Sequence, residues 1–101
     1  MHLTLRQLKI FEAVARHLSF SRAADELHLT QPAVSMQVRS LEEAAGLPLT
    51  EQVGKKIFLT EAGGELARHA RVVAQQLREA EEALAAMKGL RGGLLNITAV
   101  S

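Results

Sequence analysis

Residues 19–46 read SFSRAADELHLTQPAVSMQVRSLEEAAG, and this stretch decides the fold. Ser19-Phe20-Ser21 offers a break and a fresh helix start, with Ser21 able to cap the orphan amides of a short helix running to about Leu27. Ala23, Ala24 and Leu27 give that helix a small, close-packing face. His28-Leu29-Thr30 interrupts it, and His28 suits a left-handed turn position because His tolerates positive φ better than most residues. Thr30 is a second cap and Pro32 fits the first turn of a new helix. That helix runs to about Ala45, meets a C-terminal glycine at Gly46, and cannot continue past Pro48. Short helix, tight turn and longer helix, with another helix upstream, is the arithmetic of a helix-turn-helix.

The longer helix is tested by angle. At about 100° per residue, Val34, Val38, Leu41 and Ala45 cluster, the last three within roughly 40° of Val34, and form the buried stripe. Pro32, Met36 and Arg39 fall nearly opposite, Ser35 lies on the flank, and Gln31 sits at the N-terminal tip. The outward face is polar and uncharged except for Arg39, whereas a helix facing bulk water usually carries more Glu and Lys. A helix entering the major groove needs side chains that read base edges without repelling phosphate. Gln pairs bidentately with adenine, Ser donates or accepts, and Pro or Met touches a thymine methyl. A capped helix with a plain solvent face remains the alternative at this point.

Working outward, Thr4 and Gln7 form a capping-box pair before a helix over Leu5 to His17, with Leu8, Phe11, Ala15 and Leu18 on one face widened by Ile10 and Val14. Downstream, Val53-Gly54-Lys55 carries a turn signal and Ile57-Phe58-Leu59 is a strand-type run, so residues 49–59 read as a hairpin with its tip near Gly54. Lys55 and Lys56 sit beside that tip, where a loop reaches phosphates or the minor groove. Thr60 caps a long helix over Glu61 to Lys88. Gly63-Gly64 reads as close packing near its start. Leu66, Ala70, Val73, Leu77, Ala80, Leu84 and Met87 step by alternating fours and threes, an unbroken heptad seam. The small globular part cannot cover a seam that long, so a partner helix and a dimer are expected, with the chain's own first helix covering one end at most. Gly89 to Gly93 is expected to end the helix, and residues 94–100 to form a strand.

Composition narrows the functions. The chain has 101 residues, 48% apolar and 23% charged, which is one ordinary globular domain's worth. Cysteine is absent, which removes disulfide scaffolds, thiolate zinc sites and cysteine nucleophiles. The four histidines are scattered without an i, i+4 pair, no phosphate loop or dinucleotide fingerprint is present, and Glu42-Glu43 and Glu81-Glu82 read as solvated faces. No enzyme, metal site or cofactor is therefore expected. No apolar run approaches a membrane span and no secretory leader is visible, so the expected address is the cytosol. Net charge is only +1, so nucleic-acid binding must be argued from where cations are placed, and three aromatics argue against a base-stacking single-strand binder.

The run Leu5-Arg6-Gln7-Leu8 … Phe11 … Val14-Ala15 … Ser19-Phe20-Ser21-Arg22-Ala23-Ala24 … Leu27-His28-Leu29-Thr30-Gln31-Pro32-Ala33-Val34-Ser35 resembles the start of LysR-type transcriptional regulators. Leu41-Glu42 … Gly46-Leu47-Pro48-Leu49 and Leu59-Thr60-Glu61-Ala62-Gly63 continue the resemblance, which covers about residues 3–95. Gln31 to Gln37 and Val53-Gly54-Lys55-Lys56-Ile57 are most similar to regulators of Calvin-cycle carbon-fixation operons. The resemblance implies a mainly α fold: a winged helix-turn-helix over 1–60, a linker helix over 61–88 that dimerises antiparallel, and over 89–101 a hinge and the first strand of an effector-binding domain. It implies a double-stranded, pseudo-palindromic operator read by Gln31, Pro32 and Ser35, with Thr30, Arg39, Lys55 and Lys56 on the backbone. It further implies a homodimer that forms tetramers in the longer protein, a small-molecule effector bound outside this stretch, and a bacterial, nucleoid-associated location. Three positions depart from the family pattern. Met36 stands where a polar or basic residue is common, Thr50 where a Phe packs under the wing, and Gln52 where an Arg is frequent. Two classes of function stay open: a sequence-specific DNA-binding dimer, and a coiled-coil interaction module that uses a winged fold for protein contacts.

Overall fold

A computed structural model describes residues 1–99, with side-chain surroundings for residues 1–90. Three helices, α1 (Leu5–His17), α2 (Phe20–Leu27) and α3 (Gln31–Ala45), are followed by a hairpin of β1 (Thr50–Val53) and β2 (Lys56–Leu59), and then by α4 (Glu61–Ala99). The strands are antiparallel, pairing Thr50 with Leu59 and Val53 with Lys56 around Gly54, whose φ of 65° needs a glycine-type backbone.

Local chemistry sets the helix boundaries. The Gln7 amide donates to Thr4 Oγ1 at 3.1 Å and the Thr4 amide to Gln7 Oε1 at 3.2 Å, a complete capping box. α2 starts earlier than expected: Ser19, not Ser21, is the cap, its hydroxyl accepting from the Arg22 amide at 3.1 Å. The reason is that Leu18 takes the left-handed conformation (φ 50°) and ends α1 one residue before Ser19, leaving no room for a longer break. His28 ends α2 in the same conformation, as its residue type suggested, and Gly46 ends α3.

Ile10, Phe11, Ala13, Val14, Ala23, Ala24, Val34, Val38, Leu41 and Leu49 form one core. On α1 the buried face is rotated from the expected one, since Ala13 is fully buried while Leu8 and Ala15 are half-buried and Leu18 is exposed. The cause is that α1 is covered from more than one side, by α2, α3 and α4.

The start of α4 locks the hairpin to the core. The Thr60 hydroxyl donates to the Pro48 carbonyl at 2.7 Å and accepts from the Gly63 amide at 3.0 Å. A Cβ built on Gly63 would lie 1.9 Å from the Leu49 carbonyl oxygen, so only glycine lets α4 approach so closely, whereas Gly64 faces open space. Glu42 is not the solvated carboxylate expected. Its Oε2 accepts from the amides of Leu49 (2.8 Å) and Thr50 (3.3 Å), tying the end of α3 to the first strand.

The far end of α4 corrects the sequence reading. The helix does not stop at Gly89–Gly93, and residues 94–99 are helical rather than a strand; Val100, the last residue of the expected strand, lies outside the described residues. Each interior glycine costs about 1 kcal/mol relative to alanine. A strand, however, needs a neighbour for its amides and carbonyls, while a helix satisfies them within its own turns. Among the described residues the only sheet is the two-stranded hairpin.

Candidate nucleic-acid interface

The turn between α2 and α3 aims the longer helix. The Leu29 amide donates to the Ala24 carbonyl at 2.9 Å, and Thr30, with extended backbone, caps α3 by accepting from the Ala33 amide at 3.2 Å. Val34, Val38 and Leu41 are buried. Their burial fixes the rotation of α3, so Gln31, Pro32, Met36 and Arg39 are exposed and Ser35 is half-buried on the flank.

The hairpin folds back beside the start of this helix. The Gln52 amide group donates to the Gly54 carbonyl at 3.3 Å, steadying the turn, and Lys55 and Lys56 are exposed. A groove of about 670 Å³ results, lined by Gln31 from α3, Ser21 and Arg22 from α2, and Gln52, Lys55 and Lys56 from the hairpin. It holds three cations and no carboxylate among its lining residues. The fold thus brings Gln31 together with both lysines, which lie more than twenty residues away in sequence. Thr30, Pro32, Ser35 and Arg39 line α3 outside that groove. Arg22 and Ser21 were missed by sequence reasoning about chemistry, although a basic residue in the first turn of a capped, exposed helix start is a readable signal.

Other charges are engaged elsewhere. Arg16 forks between Glu12 (2.8 Å) and Glu26 (2.6 Å), and His17 Nε2 lies 2.8 Å from Glu26. The Arg16 hydrogen bond, helped by that of His17, holds the Glu26 carboxyl down at about 2. The same carboxylates raise Arg16 above its ordinary value. On α4, Arg68 bonds Glu65 and holds that carboxyl below the usual range.

The seven seam residues separate into groups. Ala70 is 1% exposed within a single chain, so it does not face a partner as expected, while Leu66 is half-buried against the chain's own core. The physical reason is that α4 packs against α1. Val73 is half-buried, and Leu77 lines a cleft with Lys9, Glu12, Arg16, Glu26 and Leu27. Ala80, Leu84 and Met87 are exposed. Among the described residues no cluster of metal-ligating side chains occurs and no helix is long and apolar enough to cross a membrane.

A helix-turn-helix with a basic hairpin beside its second helix and a long helix behind defines a winged helix-turn-helix protein. The family model "Bacterial regulatory helix-turn-helix protein, lysR family" matches residues 5–64, and the chain belongs to that family. It is 57% identical over its full length to the RuBisCO operon transcriptional regulator of Allochromatium vinosum, covering 33% of that protein. It is 55% identical over 97 residues to the HTH-type transcriptional regulator CbbR of Rhodospirillum rubrum, covering 96% of this chain and again 33% of the relative. The chain therefore spans about a third of the length of these relatives. In structure it is similar to the protein in the crystal structure of a CbnR_DBD–DNA complex, with a TM-score of 0.71, 35% identity, and coverage of 84% of this chain and 99% of that one.

Proposed function

We propose that this chain is the DNA-binding and dimerising part of a transcriptional regulator of carbon-fixation operons. The observation that carries the reading is the groove in which Gln31 meets Arg22, Lys55 and Lys56 without an acidic neighbour in its lining. In this reading α3 enters the major groove, with Gln31, Pro32 and Ser35 on base edges. Thr30, Arg39, Lys55 and Lys56 hold the sugar-phosphate backbone. The likeness to the protein of a DNA complex and the names of the relatives support it.

Residues 1–60 act as the winged DNA-binding unit, residues 61–88 as the dimerising linker, and residues 89–101 as the connection toward an effector-binding region. The exposed seam positions Ala80, Leu84 and Met87, with Val73 and Leu77 beside them, support pairing with a second copy. A dimer presents two recognition helices to a pseudo-palindromic operator. Tetramer formation and response to a small-molecule effector belong to the remainder of the longer proteins, and the bacterial nucleoid is the site of action.

The test is binding to a labelled duplex from the promoter of a RuBisCO operon, challenged with unlabelled promoter or a scrambled duplex. Selective competition by the promoter is expected. Equal competition by the scrambled duplex rejects sequence-specific reading. Gln31→Ala is expected to lose discrimination worth about 1–3 kcal/mol at one or two base positions.

A further inference from the structure

We infer that Met36 reads the methyl group of a thymine in the major groove, a specificity contact that rests on the DNA-binding role proposed above and extends it to a further residue. Met36 is 69% exposed, and its side chain projects from the face of α3 opposite the buried Val34, Val38 and Leu41. Ser35 next to it is half-buried, so Met36 projects further than one of the residues expected to touch bases. It lies one turn after Pro32 and three residues before Arg39, both exposed on that same face. Helical side chains lean toward the N-terminus, so Met36 extends over the turn that begins with Gln31 and Pro32. That is the end of a recognition helix that meets base edges.

The chemistry then selects the target. A thioether on an unbranched chain donates no hydrogen bond and accepts only weakly. It neither pairs with phosphate nor reads the donor and acceptor edges of guanine, adenine or cytosine. The one apolar group that unmodified bases present in the major groove is the thymine C5-methyl. A flexible, polarizable side chain adapts its shape to such a group. Pro32, the i−4 neighbour, gives the methyl a second apolar wall.

Replacing thymine by deoxyuridine removes that methyl and nothing else. The duplex probe is one selected from a random library by the wild-type 101-residue chain, then rebuilt with deoxyuridine at each thymine in turn. For wild type, one thymine per half-site is expected to weaken binding about fourfold when demethylated, the effect of one buried methyl group. Met36→Ala is expected to bind the thymine and deoxyuridine versions equally at that position. Met36→Leu, which keeps an apolar tip, is expected to restore the preference. Insensitivity of wild type at every thymine overturns the inference, as does a preference that survives in Met36→Ala. In both cases DNA reading itself stands, because a preferred duplex was recovered. Failure to recover any preferred duplex overturns the DNA reading and the Met36 contact together.

Discussion

The two halves of α4 carry the same seam and meet different fates. At its start the apolar stripe meets the chain's own core, where Leu66 packs half-buried and Ala70 is sealed, while Val73 and Leu77 are half-buried between the two regimes. From Ala80 onward the stripe is bare, with Leu84 67% and Met87 64% exposed. Heptad spacing reveals which face of a helix is apolar. It does not reveal what covers that face, because self-packing and partner-packing require the same periodicity. A covered and an open seam position therefore respond differently to the same introduced side chain.

The largest effect is expected from introducing a charge. Ala70→Glu places a carboxylate where no water reaches it and is expected to cost about 4 kcal/mol or more, read as a large drop in the urea midpoint. Leu84→Glu is expected to leave the monomer within about 0.5 kcal/mol of wild type, since an exposed helix position tolerates Glu. Its effect falls on assembly, and sedimentation equilibrium should show a dimeric wild type and a monomeric variant. A Leu84→Glu protein that stays dimeric removes the bare half of the seam from the interface.

The adjacent glycines give a second, smaller contrast. Gly63→Ala forces a methyl into the Leu49 carbonyl and is expected to destabilise by about 1–3 kcal/mol. Gly64→Ala meets nothing within 4 Å and is expected to stabilise by about 0.5–1 kcal/mol through the unfolded chain and helix propensity. Thermal melts of the two variants should move in opposite directions.

Cations tied up in ion pairs and cations in the groove are expected to differ in their salt response. Lys55→Ala and Lys56→Ala in the groove are each expected to flatten the slope of log K against log salt, by about 0.9 for every phosphate the variant no longer neutralises. Arg16→Ala, whose guanidinium is taken up by Glu12 and Glu26, is expected to leave that slope unchanged. A slope that does not respond to either lysine places the hairpin off the phosphates.

The smallest effect concerns acid. The carboxyl of Glu26 is held at about 2 against an ordinary 4.5, so its pairing stabilises the fold above about pH 4.5. That contribution is lost as pH falls through about 2, where the folded state also takes up the proton. Solvent screening at this exposed pair limits it to under about 1 kcal/mol. Glu26→Gln is expected to narrow the stability difference between about pH 5 and about pH 2 by that amount, with little change at the acid end.

Much of the fold is legible from local chemistry. Thr4, Thr30 and Thr60 accept from the amides three residues on, as their spacing requires. His28, Gly46 and Gly54 take the left-handed backbone that their residue types favour. Among the candidate site residues, the exposure of Gln31, Pro32 and Arg39 followed from the Val34–Val38–Leu41 stripe alone, because a helix is rigid and one buried face dictates the other. The Ser19 cap was not legible, since it depends on Leu18 adopting a backbone that costs a β-carbon residue about 1–2 kcal/mol.

Local chemistry alone set where α1, α3 and α4 begin, where α2 and α3 end, and which face of α3 is apolar, because capping, left-handed turn residues and 3.6-residue periodicity act over four or five neighbours. How separate segments meet was settled by packing. It turned Glu42 from a surface carboxylate into the acceptor for Leu49 and Thr50, and it set Lys55 and Lys56 against Gln31 and Arg22. It also covered the start of one continuous seam, at Leu66 and Ala70, with the chain's own core and left Ala80, Leu84 and Met87 open. Such meetings depend on the distances between packed elements, and a distance across space is not written in any local run of residues.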